Sequence, residues 1–285
     1  RFHIAGLPVL IRARESRELA DLAAAYRAFA TDATELLTID IERVDDVATF
    51  GRERGPEYPA FARTLGADGR LHVERFDAEG DIDTGELPLR ASFRVGPSAN
   101  SLEACVRIAL SLALPRHGAL MMHASAVEHA GHALVFTGVS GAGKSTISSL
   151  LDRAPARKIG DEIVVLRRDA TDDATDPARW SVIIPPYLGP FDARGIAHGA
   201  SAPLDGIHVL VQATRHARAA MSPTAALREL LRHILVYVAE PRTAEHVLAL
   251  VADLTQAVPT YRLEFRKDDG VASVLGIAYP REATS

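Results

Sequence analysis

Residues 138–146 read GVSGAGKST, with the apolar run HALVF before them and the helix-like TISSLL after. Nothing else in the chain restricts its fold so tightly. The stretch fills GxxxxGK[ST] at every fixed position, with Gly138, Gly143, Lys144 and Ser145 in place between a strand-like and a helix-like segment. Such a segment is a P-loop. Its glycines let the backbone curl closely, so that successive N–H groups at a helix N-terminus point at negative charge. The reading that follows is a nucleotide phosphate chain held by Gly138, Ser140, Gly141, Ala142, Gly143, Lys144, Ser145 and Thr146. Lys144 meets the β- and γ-phosphates, and the Ser145 hydroxyl ligates Mg²⁺.

Composition narrows the partners. The 285 residues suffice for two domains of ordinary size. With 32 basic against 37 acidic residues the net charge is −5, and no basic stripe suits a nucleic-acid backbone. No apolar stretch reaches the roughly 18 residues that span a bilayer, so neither nucleic acid nor membrane is an expected partner. The single cysteine, Cys105, lies in the helix-like SLEACVRIALSLAL and suits a reducing, cytoplasmic compartment. The chain opens on Arg1, which leaves room for a natural start upstream.

Residue periodicity divides the chain in two. FHIAGLPVLIRA alternates as a strand, and ESRELADLAAAYRAFA repeats Leu19, Leu22, Ala23, Tyr26 and Phe29 at helical spacing. LLTIDIERV and RLHVERFDAEG return to a period of two. Residues 1–98 therefore read as a small N-terminal α+β module, and 99–285 as the α/β P-loop domain. In the latter a helix spans Asn100 to Leu114, and MMHASAVEHAGHALVFTG gives two strands turning at Gly131. KIGDEIVVLRR, SVIIPP, GIHVLVQAT and PTYRLEFR are further strands, with AALRELLRHILVYVA and TAEHVLALVADLTQAV as helices.

A P-loop alone serves many activities, so its neighbours have to discriminate. KIGDEIVVL opens an apolar strand with Asp161 and Glu162, seventeen and eighteen residues after Lys144. A buried strand seldom starts with two carboxylates unless a cation meets them. On one strand they would face opposite sides, one toward the phosphates and the other toward metal or a neighbouring loop. His123, on the strand before the loop, is on its own as readily a satisfied sheet residue as a catalyst.

The order His123, GVSGAGKST, then GDE before VVL resembles the catalytic domain of HPr kinase/phosphorylase, with matching spacings. It is more distantly similar to the ATP-type phosphoenolpyruvate carboxykinases. The run MMHASAVEHAGHALVFTGVSGAGKST also resembles HPr-kinase-like proteins of peptide-modification gene clusters, including lasso peptide kinases. The chain departs from the family in Glu162, where a second aspartate is usual, and in Thr146, where a glutamate follows the serine. FDARGIAHG echoes only part of the family's later signature. With these departures, neither HPr as acceptor nor a reverse phosphorolytic reaction is implied.

What the resemblance implies is transfer of the ATP γ-phosphoryl group to a hydroxyl, most simply a Ser or Thr of a peptide or small protein. Asp161 would accept the hydroxyl proton, and His123 and Lys144 would complete the catalytic group. Ser145, Glu162 and Asp161 would hold Mg²⁺, joined by Asp192, while Arg194 would clamp the transferring group. A homo-oligomer follows from the resemblance alone. Two other readings stay open: a sugar or polyol kinase with the same machinery, and a nucleotide-gated peptide-binding protein without turnover.

Overall fold

A computed structural model describes residues 1–13, 26–52, 61–153, 155–170, 178–185, 201–237 and 240–278. Its contacts separate two units. The first draws on Arg1–Ala119 and Val236–Val247, the second on Leu120–Pro185, Ala193–Leu235 and Leu248 onward.

In the first unit the period-two segments form seven strands: β1 (Phe2–Ile4), β2 (Leu7–Ala13), β3 (Leu37–Arg43), β4 (Ala62–Leu65), β5 (Arg70–Arg75), β6 (Ala78–Asp83) and β7 (Leu89–Val95). They make one sheet in the order β1-β2-β3-β7-β6-β5-β4, with β2, β3 and β7 parallel and the β7-to-β4 side antiparallel. β5, β6 and β7 bury alternate residues, as a sheet with one covered face must. FHIAGLPVLIRA is two antiparallel strands, because Ala5 and Gly6 both take positive φ and reverse the chain. The helix expected over 15–30 falls largely outside the described residues. Its end is a 3-10 turn at Arg27–Phe29, with Tyr26 packed 4.2 Å from the Phe2 ring.

Helix α1 (Ala99–Arg116) starts at Ser98, whose hydroxyl caps the Asn100 N–H at 3.2 Å. The expected boundary at 98 places this helix with the P-loop, whereas its contacts are with β3, β6 and β7. The reason is a buried polar pin. Arg75 Nε lies 2.5 Å from Asp77 Oδ1, and the Ser101 hydroxyl donates to Asp77 Oδ2 at 2.6 Å, tying the first turn of α1 to the β5–β6 hairpin. At the other end Arg116, fully buried, meets Glu240 at 3.0 Å and draws Val236–Val247 into the same unit.

The remaining elements are β8 (Ala119–His129), β9 (His132–Thr137), α2 (Lys144–Leu151), β10 (Ala156–Gly160), β11 (Ile163–Arg168), β12 (Trp180–Ile183), β13 (Ser201–Gln212), β14 (Ala217–Ala220), α3 (Pro223–Leu230), α4 (Pro241–Ala257), β15 (Thr260–Phe265) and α5 (Val271–Val274). Apart from the first turns of α4, they build the second unit. Two of the boundaries differ from those expected. KIGDEIVVLRR is two strands, and AALRELLRHILVYVA is helical only to Leu230. An eight-stranded sheet results, in which β9, β13 and β15 run parallel. Phe136, Ile147, Leu151, Leu210, Leu263, Phe265 and Val271 form the core that seats α2 on it. The P-loop thus leaves the carboxyl end of a parallel strand, the place where open α/β sheets bind ligands.

Candidate active site

Where β9 ends, the backbone of Gly138, Gly141 and Gly143 adopts φ values of 152°, 78° and 105°, a region that favours glycine. At Gly143 the need is also spatial, since a Cβ there would lie 2.6 Å from Phe265 Cζ. Val139 O accepts from the Ala142 N–H at 3.0 Å, and α2 begins directly at Lys144. Ser140 and Gly141 are exposed at the loop crest, Ala142 is buried, and Thr146 sits half-buried in the first turn of α2. Lys144 turns back over the loop, donating from Nζ to Gly138 O at 3.0 Å and to Val139 O at 3.3 Å. Burial first of all lowers its pKa, while Glu162 and Asp161 push the other way.

Asp161 and Glu162 occupy the turn between β10 and β11 rather than one strand, and this corrects the expectation that they face opposite sides. Glu162 takes φ 75°, unusual for any residue but glycine. Its carbonyl accepts from Ala124 N on β8 at 3.2 Å, which fixes the turn against the histidine strand. The Ser145 hydroxyl donates to Asp161 Oδ1 at 2.9 Å, and the same oxygen accepts the Glu162 N–H at 3.1 Å. Lys158 Nζ holds the other oxygen at 2.6 Å. Both oxygens of Asp161 are therefore engaged.

His123 also faces this group. Ser125, two residues along β8 on the same face, donates its hydroxyl to Lys144 O at 2.8 Å, so that face is the one under the P-loop. His123 Nε2 lies 3.7 Å from Glu162 Oε2, and its side chain is 35% exposed rather than packed in an apolar core. Burial and then Lys144 lower its pKa, against the pull of Glu162 and Asp161. Its backbone is held twice, by the Thr137 hydroxyl donating to its carbonyl at 2.9 Å and by its N–H donating to His233 O at 2.9 Å.

The fold thus gathers His123, the loop from Gly138 to Thr146, Asp161 and Glu162 in one place. Asp192 and Arg194 lie outside the described residues. Sequence reasoning missed Lys158, which stands three residues before Asp161 and was legible as its ion-pair partner once a turn was allowed there. It also missed His233 and Glu229, which no local motif marks. Burial likewise lowers the pKa of His233, while Glu229, 3.3 Å away, raises it.

Among the described residues no three His, Cys, Asp or Glu side chains are arranged to hold a metal by themselves. A hydroxyl beside one or two carboxylates is nonetheless the donor set that suits Mg²⁺, which keeps waters and takes further oxygens from phosphates. No described helix is long and apolar enough to cross a membrane.

No protein-family profile matches the chain, and no curated protein does. Among solved structures, the HPr(Ser) kinase/phosphatase from Coxiella burnetii is similar at 9% identity with a TM-score of 0.29, the match covering 55% of this chain and 93% of that one. So slight a likeness decides neither fold nor activity. The weight falls on the residues themselves.

Proposed function

We propose that this chain binds ATP with Mg²⁺ and transfers the γ-phosphoryl group to a hydroxyl of a peptide or small protein. The observation that carries this reading is the 2.9 Å contact between the Ser145 hydroxyl and Asp161, made beside Lys144 inside a complete P-loop. A loop that only bound phosphate would need no carboxylate folded onto its serine.

Phosphoryl transfer requires placement and charge neutralisation more than covalent chemistry. Backbone N–H groups from Gly143 to Thr146, at the start of α2, cradle the phosphates, and Lys144 exchanges its two carbonyl partners for β- and γ-oxygens. Ser145, Asp161 and Glu162 would hold Mg²⁺, which when bound supplies positive charge to the phosphate oxygens. Because both oxygens of Asp161 are engaged, it serves the metal side first and orients the acceptor from there. His123 stands beside Glu162 as a hydrogen-bonding group toward the transferring phosphoryl. Asp192 and Arg194 keep the roles implied by the resemblance, as proposals.

The test is incubation with γ-labelled ATP, Mg²⁺ and two pools, Ser/Thr peptides and a panel of sugars and polyols. Label in the peptide pool supports the reading. Label in the sugar pool moves the acceptor class while keeping the chemistry. Tight ATP binding with no release or transfer of label leaves a nucleotide-gated binder, and folded protein that binds no ATP overturns the reading.

A further inference from the structure

Beyond the carboxylate pair, the surroundings of the P-loop hold a second acid–histidine pair. Where β9 turns away into the loop, the segment after α3 takes its place beside β8: His233 O accepts from the His123 N–H, and Leu235 N–H donates to Met121 O at 2.8 Å. This puts His233, buried, next to the catalytic group, with Nε2 3.3 Å from Glu229 Oε1. Lys144 acts electrostatically on both histidines.

Glu229 also lines a cleft of about 440 Å³. One wall is the backbone of Gly138–Ala142. Val209 and Val211 of β13 form the floor with Arg262 of β15, and Met221, just before α3, and Glu229 of α3, which packs on β15, complete it. Among the described lining residues Glu229 is the one carboxylate and Arg262 the one cation. Neither is fully committed: Arg262 meets Glu264 at 3.6 Å, and the second oxygen of Glu229 meets exposed Arg232 at 3.7 Å. The position along the loop matters most. Lys144 Nζ, the group that reaches the β- and γ-phosphates, rests on Gly138 O and Val139 O, so the transferable end of a bound nucleotide lies at the end of the loop that walls the cleft. The volume suits a few residues of peptide or one sugar-sized group.

On the phosphotransferase reading above, we infer that this cleft receives the hydroxyl-bearing acceptor and that Glu229, oriented by His233, accepts the hydroxyl proton. In the step the acceptor oxygen forms its bond to the γ-phosphorus as the bond from that phosphorus to the ADP oxygen breaks. The proton passes to the Glu229 carboxylate, and ADP leaves with the electron pair of the broken bond. Glu229 is then a catalytic residue and His233 a positioning residue.

The experiment compares wild type, Glu229→Gln, Met221→Trp and His233→Gln, all checked for folding by circular dichroism. Binding is read with a fluorescent ATP analogue, and turnover as label leaving γ-labelled ATP for the peptide and sugar pools or for water. All variants should bind the analogue within about twofold of wild type. Glu229→Gln should lower kcat by roughly a hundredfold to ten-thousandfold, the range of general-base contributions. Met221→Trp, which fills the cleft, should act mainly on the acceptor KM, and His233→Gln should shift the pH profile of turnover. Wild-type turnover in both Glu229→Gln and Met221→Trp overturns the inference. Loss of analogue binding in those two variants also overturns it, because it puts the nucleotide in the cleft. If wild type itself binds no ATP, it is the phosphotransferase reading that fails.

Discussion

At Asp161 a single carboxylate joins the hydroxyl of the P-loop serine to the ammonium of Lys158. Replacing it with asparagine keeps its shape and one acceptor but removes the charge. Asp161→Asn should lower kcat by about a hundredfold or more and raise the Mg²⁺ concentration that turnover needs, which steady-state kinetics across a Mg²⁺ titration will show. Near-normal turnover with unchanged Mg²⁺ demand would move the role to Glu162. Gly143→Ala tests the loop rather than the chemistry. With φ at 105° and the Phe265 ring only 2.6 Å from where the new Cβ would sit, the methyl group has no unstrained place. A loss of about 1–3 kcal/mol in urea unfolding is expected, together with weaker nucleotide binding. GVSGAGKST and the acidic pair could be named as candidates from sequence because their chemistry is written in adjacent positions. His233 and Glu229 could not, because they reach the site from far along the chain beyond His123, through a bridge to β8 that leaves no periodic trace.

Among the elements, β8, β9 and α2 were read correctly, since the turn at Gly131 and the glycines of the loop punctuate them. KIGDEIVVLRR misled because its turn is made by Asp161 and Glu162, without glycine or proline at the turn itself. The left-handed Glu162 is held by tertiary contacts, not by propensity. β13 offers a separate test. His208 is fully buried, stacked between Phe136 and Tyr261 with ring centroids 5.3 Å from each, and Arg218 caps Tyr261. Burial first, then Arg218, lowers its pKa from 6.5 to about 3. Above about pH 6.5 the ring is neutral folded or unfolded and adds no pH dependence. Between 6.5 and 3 the unfolded chain takes up a proton that the native chain refuses. Stability therefore falls as pH falls, by up to about 1.4 kcal/mol per pH unit from this group. His208→Phe keeps a ring in the stack and removes the titration. Its melting temperature should fall less than that of wild type between about pH 7 and pH 4.5, and parallel curves would contradict the account.

For the whole molecule, the alternation of strand and helix signals made a mixed α/β chain legible, and the structure has two sheets. The placement of α1 was not legible, because a helix as apolar as SLEACVRIALSLAL suits either unit. The choice is made by Asp77 meeting Ser101. Binding of ATP by the second unit alone implies linkage: at about one hundred times Kd, nucleotide should stabilise the native state by about 2.7 kcal/mol, and the thermal transition should rise with ATP concentration. That shift depends on Lys144. The most direct measurement is therefore a calorimetric titration of ATP with Mg²⁺ into wild type and into folded Lys144→Ala. Saturable binding by wild type, with severe weakening in the variant, is the result expected here. Equal affinity in the two proteins, or no binding by folded wild type, would contradict the claim that GVSGAGKST holds the phosphates of a nucleotide.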